Sequence, residues 1–461
     1  MKYYLAIDIG ASSGRHILGS VEDGRIVLEE IYRFENAMRE ENGTLIWDLD
    51  SLTREVIAGI AVCKQLGKLP ATVAIDTWGV DYVLLGKDGA PLLPAVAYRD
   101  SRTAPAVEAV NQRIPLQELY AKTGIWPQPF NTIYQLWCDR ESGKLAKASA
   151  VLLMPAYLSY ALTGVCMNDY TDATTSGLIN AETKTWDASL LDALGLDPAL
   201  FAPPVLPGTV VGPFTPAVRE AVGFDATVLC APAHDTAAAV AACPIDEESI
   251  YISSGTWSLI GTENRTPTLS EAARLAGFTN EGGVEYHYRF LKNIMGMWLF
   301  QNIRKNLNKQ YTYDEMMAMA QASSYTRTFD CNDPSLLAPE NMIAAIRALL
   351  GAPELPLGDV LSSVYHSLAH SYDTAIREIE TLSNKTVSRI LIVGGGSKDR
   401  YLNELTARVT GKPVYTGLSE ATALGNLLSQ IMQDTGCSLA EGRALIADSF
   451  RIRCEAMPDA E

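Results

Sequence analysis

Nowhere in these 461 residues is there a Gly-x-x-x-x-Gly-Lys-Ser/Thr run; the Gly-Lys pairs at 67, 86, 143 and 411 are followed by neither Ser nor Thr. A P-loop, the commonest phosphate cradle, is therefore excluded. Cysteine pairs are missing too. The eight cysteines (63, 138, 166, 230, 243, 331, 437 and 454) include no Cys-x-x-Cys, and the closest two are 13 apart. That removes zinc ribbons and disulfide scaffolds, and a reducing cytoplasm is the expected compartment. Basic residues are few, 37 Lys and Arg against 54 Asp and Glu, for a net charge of -17. Nucleic acid and anionic membrane are thus not expected as partners, since both need cationic side chains to neutralise phosphate. Long apolar runs are absent as well. The best, Val151 to Val165, is interrupted by Pro155, Ser159 and Thr163 and falls short of the ~20 residues a span requires. It reads as a packed helix closed by Gly164. The apolar N-terminus is broken by Asp8, so it does not read as a signal peptide.

What remains is ordinary for a soluble globular enzyme: 48% hydrophobic and 20% charged residues. The length exceeds what one core organises, so two domains are expected. The loop Pro244 to Glu248 is the natural boundary, giving domains 1–246 and 247–461. Tyr3 to Ile9 reads as a buried strand, Ala11 to Gly14 as a tight turn and Arg15 to Ser20 as a return strand. Asp48 to Leu66 has helical spacing, with Asp50 or Ser51 as N-cap. Hairpin strands at Ser249 to Gly261 repeat the opening design. The strand Arg389 to Val393 runs into Gly394-Gly395-Gly396, and a helix follows from about Asp399. Strands mixed with crossover helices make an α/β protein.

Each candidate site has a plain structural reading beside the chemical one. The turn Gly10-Ala11-Ser12-Ser13-Gly14-Arg15 offers backbone N–H groups, hydroxyls and a guanidinium to an anion, or is simply a hairpin turn. Ser253-Ser254-Gly255-Thr256 echoes it, which favours a polyphosphate. Gly10, Ser12 and Gly14 also match a hydrolase nucleophile elbow, but that motif needs a helix after the turn and a strand is expected here. Gly394 to Gly396, between a strand and a helix, suits a nucleotide or a flexible connection. His366 and His370, four apart on a helix, lack a third ligand and are assigned no metal. Asp235, in Ala-Pro-Ala-His-Asp-Thr-Ala-Ala-Ala-Val-Ala-Ala, lies between the two turns in the chain. It is either a helix N-cap or a general base positioned where a helix start favours negative charge. Asp8 either holds Mg2+ through water or pins the first hairpin.

The stretches Asp8-Ile-Gly-Ala-Ser-Ser-Gly-Arg15, Ile75-Asp-Thr-Trp-Gly-Val-Asp81, Ala97-Tyr-Arg-Asp-Ser-Arg102, His234-Asp-Thr236, Ser253-Ser-Gly-Thr-Trp-Ser258, Asn280-Glu-Gly-Gly283, Lys292-Asn-Ile-Met-Gly296 and Val393-Gly-Gly-Gly396 carry a family likeness. Together they resemble the FGGY carbohydrate kinases over essentially the whole chain. The resemblance implies two ribonuclease-H-like domains of the actin, Hsp70 and sugar kinase superfamily, with a catalytic cleft between them. It implies ATP as co-substrate with Mg2+, a small-molecule sugar as acceptor, and Asp235 as the base. Gly79, His234, Asp235, Thr236 and Asn293 are the implied sugar contacts. Ala11, Ser12, Ser13, Gly14, Arg15, Thr256, Gln301 and Gly395 are the implied ATP contacts, and Asp8 stands nearest the metal. Gln135, where many members carry Lys, points to the branch that phosphorylates L-rhamnulose at O1. Kinases for L-fuculose or a pentulose, and a non-catalytic sensor on the same fold, are the alternatives. The segment Lys305 to Gly358 resembles the family least and receives no role.

Overall fold

The computed structural model describes residues 1–458; the last three positions of the expected second domain lie outside them. Two compact units emerge, and neither is contiguous in sequence. The first gathers Met1–Pro244, Asn264–Phe290 and Ala421–Ser449; the second gathers Ile245–Glu263, Leu291–Glu420 and the C-terminal segment from Phe450.

The first unit is built on strand β1 (Tyr3–Ile9), whose apolar run is buried on both faces, as a central strand requires. It pairs antiparallel with β2 (Ser13–Glu22), which pairs antiparallel with β3 (Arg25–Glu35). On its other side β1 runs parallel to Pro70–Thr77, and that strand runs parallel to Thr227–His234. The short strand Val210–Pro213 closes the six-stranded sheet. It lies within the Pro-rich stretch Pro203 to Pro216, whose composition by itself suggests only an extended surface connection.

Helix α1 (Leu49–Gln65) covers one face of the sheet. Its cap is neither Asp50 nor Ser51 but Asp48, whose side chain accepts from Ser51 N at 2.9 Å. Leu49, Leu52, Val56, Ile60 and Cys63 recur at three- and four-residue spacing and join Leu5, Ile7, Val73 and Val228 in one core. The other face receives two helices, Asp235–Ala242 and Ala421–Thr435. Ala237 to Ala242 are all buried, and a Cβ at Gly425 would fall 1.7 Å from the carbonyl oxygen of Ala238. The alanine run therefore reflects a helix crossing too close for larger side chains. Val151 to Val165 is not one helix: Ala148–Leu153 is a strand, and Met154–Thr163 is the helix, closed by Gly164 at φ 74°.

The second unit repeats the hairpin. Ser249–Ser254 pairs antiparallel with Trp257–Asn264 and parallel with Arg389–Val393. Val414–Thr416 extends the parallel set, and Arg453–Ala456 adds an antiparallel edge. The long helix Leu357–Ser383 buries Val360, Leu361, Val364, Leu368, Ile376 and Ile379 along one stripe. Helical spacing and a first-turn proline suggest a helix over Pro339 to Leu350; it begins instead at Met342, capped by the Asn341 side chain on Ala344 N at 3.0 Å. Among the described residues no helix is long and apolar enough to cross a membrane.

Candidate active site

In the first unit the carboxyl ends of three parallel strands bring acids together. Asp8 lies in register with Asp76, and Thr77 lies in register with His234, one residue before Asp235. Open α/β sheets place ligands outside such strand ends. Asp8 and Arg15, read separately as metal and nucleotide residues, are partners of each other: Arg15 Nη2 and Nε donate to Asp8 Oδ2 at 2.8 and 3.0 Å. The turn they flank is pinned by Asn36, whose Nδ2 donates to the Gly10 carbonyl at 2.8 Å and whose N donates to Ser12 O at 3.1 Å. Ser12 is exposed and Gly14 is buried under the Phe34 ring, where a Cβ would meet Cζ at 2.1 Å. A strand, β2, follows the turn, so the context of a nucleophile elbow is absent.

The sequence assigns Asp76 no role of its own. Its carboxyl is fully buried; Oδ2 accepts from Asn426 Nδ2 at 2.6 Å, while Oδ1 has no hydrogen-bond partner. Burial, and then the charge of Asp8, push it well above the usual carboxylate range, with Asp235 adding to the effect.

Asp235 opens its helix from the first turn, and the N-cap position belongs to His234. The capping reading of Asp235 thus gives way to a side chain turned to its neighbours. Its Oδ1 accepts from Thr236 N at 2.5 Å and Thr236 Oγ1 at 3.1 Å, and His234 Nε2 lies 3.4 Å from the same oxygen. The carboxylate keeps about a third of its surface exposed (35%). The other face of His234 meets Arg289 and Glu281: Nδ1 is 3.1 Å from Arg289 Nη2 and 3.4 Å from Glu281 Oε2. Burial would raise the Glu281 pKa, but the charge of Arg289 beside it is the main influence that brings it down to about 2.

Asp169 fixes the strand end beneath. Its Oδ1 accepts from Thr171 N at 2.8 Å and Asp172 N at 3.1 Å, capping a short helix, and also from Ala233 N at 3.1 Å. Only the tertiary fold shows this, because the cap and the strand are 64 residues apart.

Gly79 approaches the same histidine. A Cβ there would lie 3.3 Å from His234 Cδ2 and 3.2 Å from the Thr175 side chain. The next residue, Val80, has φ +70°, a left-handed conformation that a β-branched side chain resists. Three contacts impose it. Val80 N donates to Thr175 Oγ1 at 3.1 Å, and the Val80 carbonyl accepts from Thr132 Oγ1 at 2.6 Å and Gln135 Nε2 at 3.2 Å. Gln135 also donates to Phe130 O at 2.9 Å. Asp81, which follows, accepts from the Trp47 and Trp78 indoles at 2.6 and 2.9 Å, and burial nevertheless raises its carboxyl to about 6.

In the second unit the glycine triplet lies on the hairpin turn. A Cβ on Gly394 would meet Ser254 O at 2.8 Å and one on Gly396 would meet Ser254 Oγ at 2.0 Å, whereas Gly395 faces open space. Helix Trp298–Asn306 starts from the same turn, with Trp298 N donating to Thr256 O at 2.9 Å, and it carries the exposed Gln301. Asn293 precedes it on strand Tyr288–Met295, with its buried Oδ1 unpartnered. Asn332, from the segment given no role, holds that strand: it donates to Asn293 O at 3.1 Å and accepts from Met295 N at 3.0 Å. Among the described residues no three His, Cys, Asp or Glu side chains form a metal cage. A Mg2+ site of one carboxylate plus substrate phosphates and water needs none, and Asp8 at the first turn fits that donor set.

A mixed sheet in each unit, each with a strand–turn–strand beside a parallel strand, defines a two-domain sugar kinase fold of the actin and Hsp70 type. A xylulose kinase structure from Lactobacillus acidophilus superposes with a TM-score of 0.84 at 19% identity, covering 100% of this chain and 94% of that one. The sequence settles the family: residues 3–242 match the N-terminal domain of the FGGY family of carbohydrate kinases, and residues 250–433 match its C-terminal domain. The chain belongs to that family and is a carbohydrate kinase, with a sugar and ATP as substrates. Relatives named rhamnulokinase are 44% identical in Halalkalibacterium halodurans, over 100% of both chains, and 44% identical in Oceanobacillus iheyensis, over 97% of this chain and 96% of that one.

Proposed function

We propose that this kinase phosphorylates L-rhamnulose at O1, giving L-rhamnulose 1-phosphate and ADP, with Asp235 as general base. The observation that carries the reading is the hold on Asp235. One carboxylate oxygen accepts from Thr236, with His234 Nε2 3.4 Å away, and the side chain stays partly exposed. Such an acid can take the proton of a sugar hydroxyl as it attacks phosphorus. The full-length relatives named rhamnulokinase support the substrate, as does Gln135, which props the Gly79–Val80 loop.

Phosphoryl transfer passes through a loose transition state, so positioning and charge stabilisation dominate. In the first unit, backbone N–H groups of Ala11, Ser12, Ser13 and Gly14 and the Arg15 guanidinium face the phosphates. In the second, Thr256, Gln301 and Gly395 hold the nucleotide, with Gly395 having room for it. Gly79, His234, Thr236 and Asn293 orient the sugar. Asp8 would hold Mg2+, which when bound would supply charge neutralisation to the transferring phosphates. Residues 1–246 thus carry the base, the first phosphate hairpin and most of the sugar contacts, and 247–461 carry the remaining nucleotide contacts and Asn293.

The test is ADP release with Mg-ATP across L-rhamnulose, L-fuculose, D-ribulose, D-xylulose, glycerol and no sugar, repeated with Asp235→Asn. The highest kcat/KM on L-rhamnulose is expected, with kcat falling by about 10² to 10⁴ in the variant. Preference for another sugar overturns the substrate, and near-normal turnover of Asp235→Asn overturns the base.

A further inference from the structure

Arg289 is fully buried, and no part of the proposed chemistry uses it. Its Nε donates to Gly282 O at 3.0 Å, its Nη2 lies 3.0 Å from Glu281 Oε2 and 3.1 Å from His234 Nδ1, and its Nη1 has no partner. A buried guanidinium needs a counter-charge, which Glu281 provides. The third contact carries more information. A guanidinium has five donors and no acceptor. A nitrogen 3.1 Å from Nη2 is therefore attractive only as a lone pair, so Nδ1 of His234 accepts and the ring proton sits on Nε2. That nitrogen lies 3.4 Å from Asp235 Oδ1, a separation that a small turn of the ring would close into a hydrogen bond.

We propose that Arg289 is a positioning residue that locks His234 in the Nε2–H tautomer, so that His234 donates to Asp235 Oδ1 and the Oδ2 oxygen is left to take the substrate proton. Oδ1 already accepts from Thr236 N and Thr236 Oγ1, and His234 Nε2, 3.4 Å away, is the third donor the lock supplies. Among the described residues no donor of the chain reaches Oδ2. Without Arg289, Nδ1 could carry the proton and donate to Glu281, 3.4 Å away. Nε2 would then face Asp235 as a second lone pair and push the carboxylate away. The tautomer follows from local geometry alone; its catalytic consequence rests on the reading of Asp235 as the base.

The test separates the two. The chain has five histidines, so ¹⁵N-histidine long-range NMR resolves each ring, and His234→Gln assigns the signal. An Nε2–H signature at His234 in the wild type is expected, and an Nδ1–H signature overturns the lock. Arg289→Met paired with Glu281→Gln removes both charges, so no buried charge is stranded; circular dichroism confirms folding. In this variant we expect Nδ1–H to become populated and kcat for the best sugar to fall on the order of 10²-fold, with KM changing much less. Arg289→Lys, which retains one donor, should keep the wild-type tautomer and recover most of that loss. A shifted tautomer with unchanged kcat overturns the positioning role. If Asp235→Asn retains turnover while the wild-type tautomer is as stated, the base assignment fails and the lock stands.

Discussion

Asn426 donates to Asp76 Oδ2 at 2.6 Å, joining positions 350 residues apart. The same amide nitrogen reaches Ala74 O at 3.1 Å, and Gln430, one turn on, donates to Leu5 O at 3.0 Å and accepts from Thr72. A polar seam on the buried face of this helix thus grips the backs of two central strands. Leaving a buried acceptor without its donor costs about 1–3 kcal/mol. Asn426→Leu should lower the urea-unfolding free energy by about that much. Adding Asp76→Leu should restore part of it, since removing both partners leaves no unsatisfied group. A double variant less stable than Asn426→Leu would show that Asp76 is held by something else.

The glycine triplet makes a second, position-specific prediction. Gly395→Ala should leave thermal stability unchanged and raise KM for ATP on the order of tenfold, because a methyl there enters open space beside the proposed nucleotide site. Gly394→Ala should cost about 1–3 kcal/mol of stability, since φ is +83° and the new Cβ meets the Ser254 carbonyl. Equal effects on KM and Tm in both variants would remove Gly395 from the nucleotide site.

Asn332 tests whether a segment with little family likeness still serves the site. Asn332→Ala deletes two hydrogen bonds that hold the strand around Asn293. The expected outcome is a rise in sugar KM of about tenfold with kcat less affected. Unchanged sugar KM, measured beside an Asn293→Ala control, would make Asn332 purely structural.

His16 predicts acid sensitivity. It is completely buried, its Nε2 donates to Val56 O at 3.0 Å, and burial lowers its pKa from 6.5 to about 4. Between those values the unfolded chain binds the proton and the folded one does not. Stability should therefore fall as pH drops from 6.5 toward 4, by up to about 3 kcal/mol. His16→Gln, which keeps an N–H for Val56, should flatten that limb of a urea-midpoint-versus-pH curve. An unaltered limb would assign acid sensitivity to other groups.

The opening strand, its small-residue turn and the return strand are legible from the chain because a buried central strand needs an unbroken apolar run and a tight turn needs Gly and Ser. The run Ala237 to Ala242 likewise announces close packing, since nothing larger than a methyl fits. Its partner is not legible: Gly425 lies far along the chain, and only the fold brings it against Ala238. Local spacing misplaced caps and junctions, as with Asp48 and the strand within Val151 to Val165, where tertiary pairing overrides propensity.

The sequence by itself determined the family, the mixed α/β class and the chemical types on offer, because motifs such as Asp-Thr-Trp-Gly-Val-Asp and Lys-Asn-Ile-Met-Gly are local strings. The tertiary structure alone decided which of those groups act on one another. Asp76 meets Asn426, Arg289 meets His234, Gln135 and Thr132 hold Val80 at positive φ, and residues 264–290 and 421–449 rejoin the first unit. These are relations between side chains distant in sequence. They are set by strand register and helix approach, and burial gives them their strength.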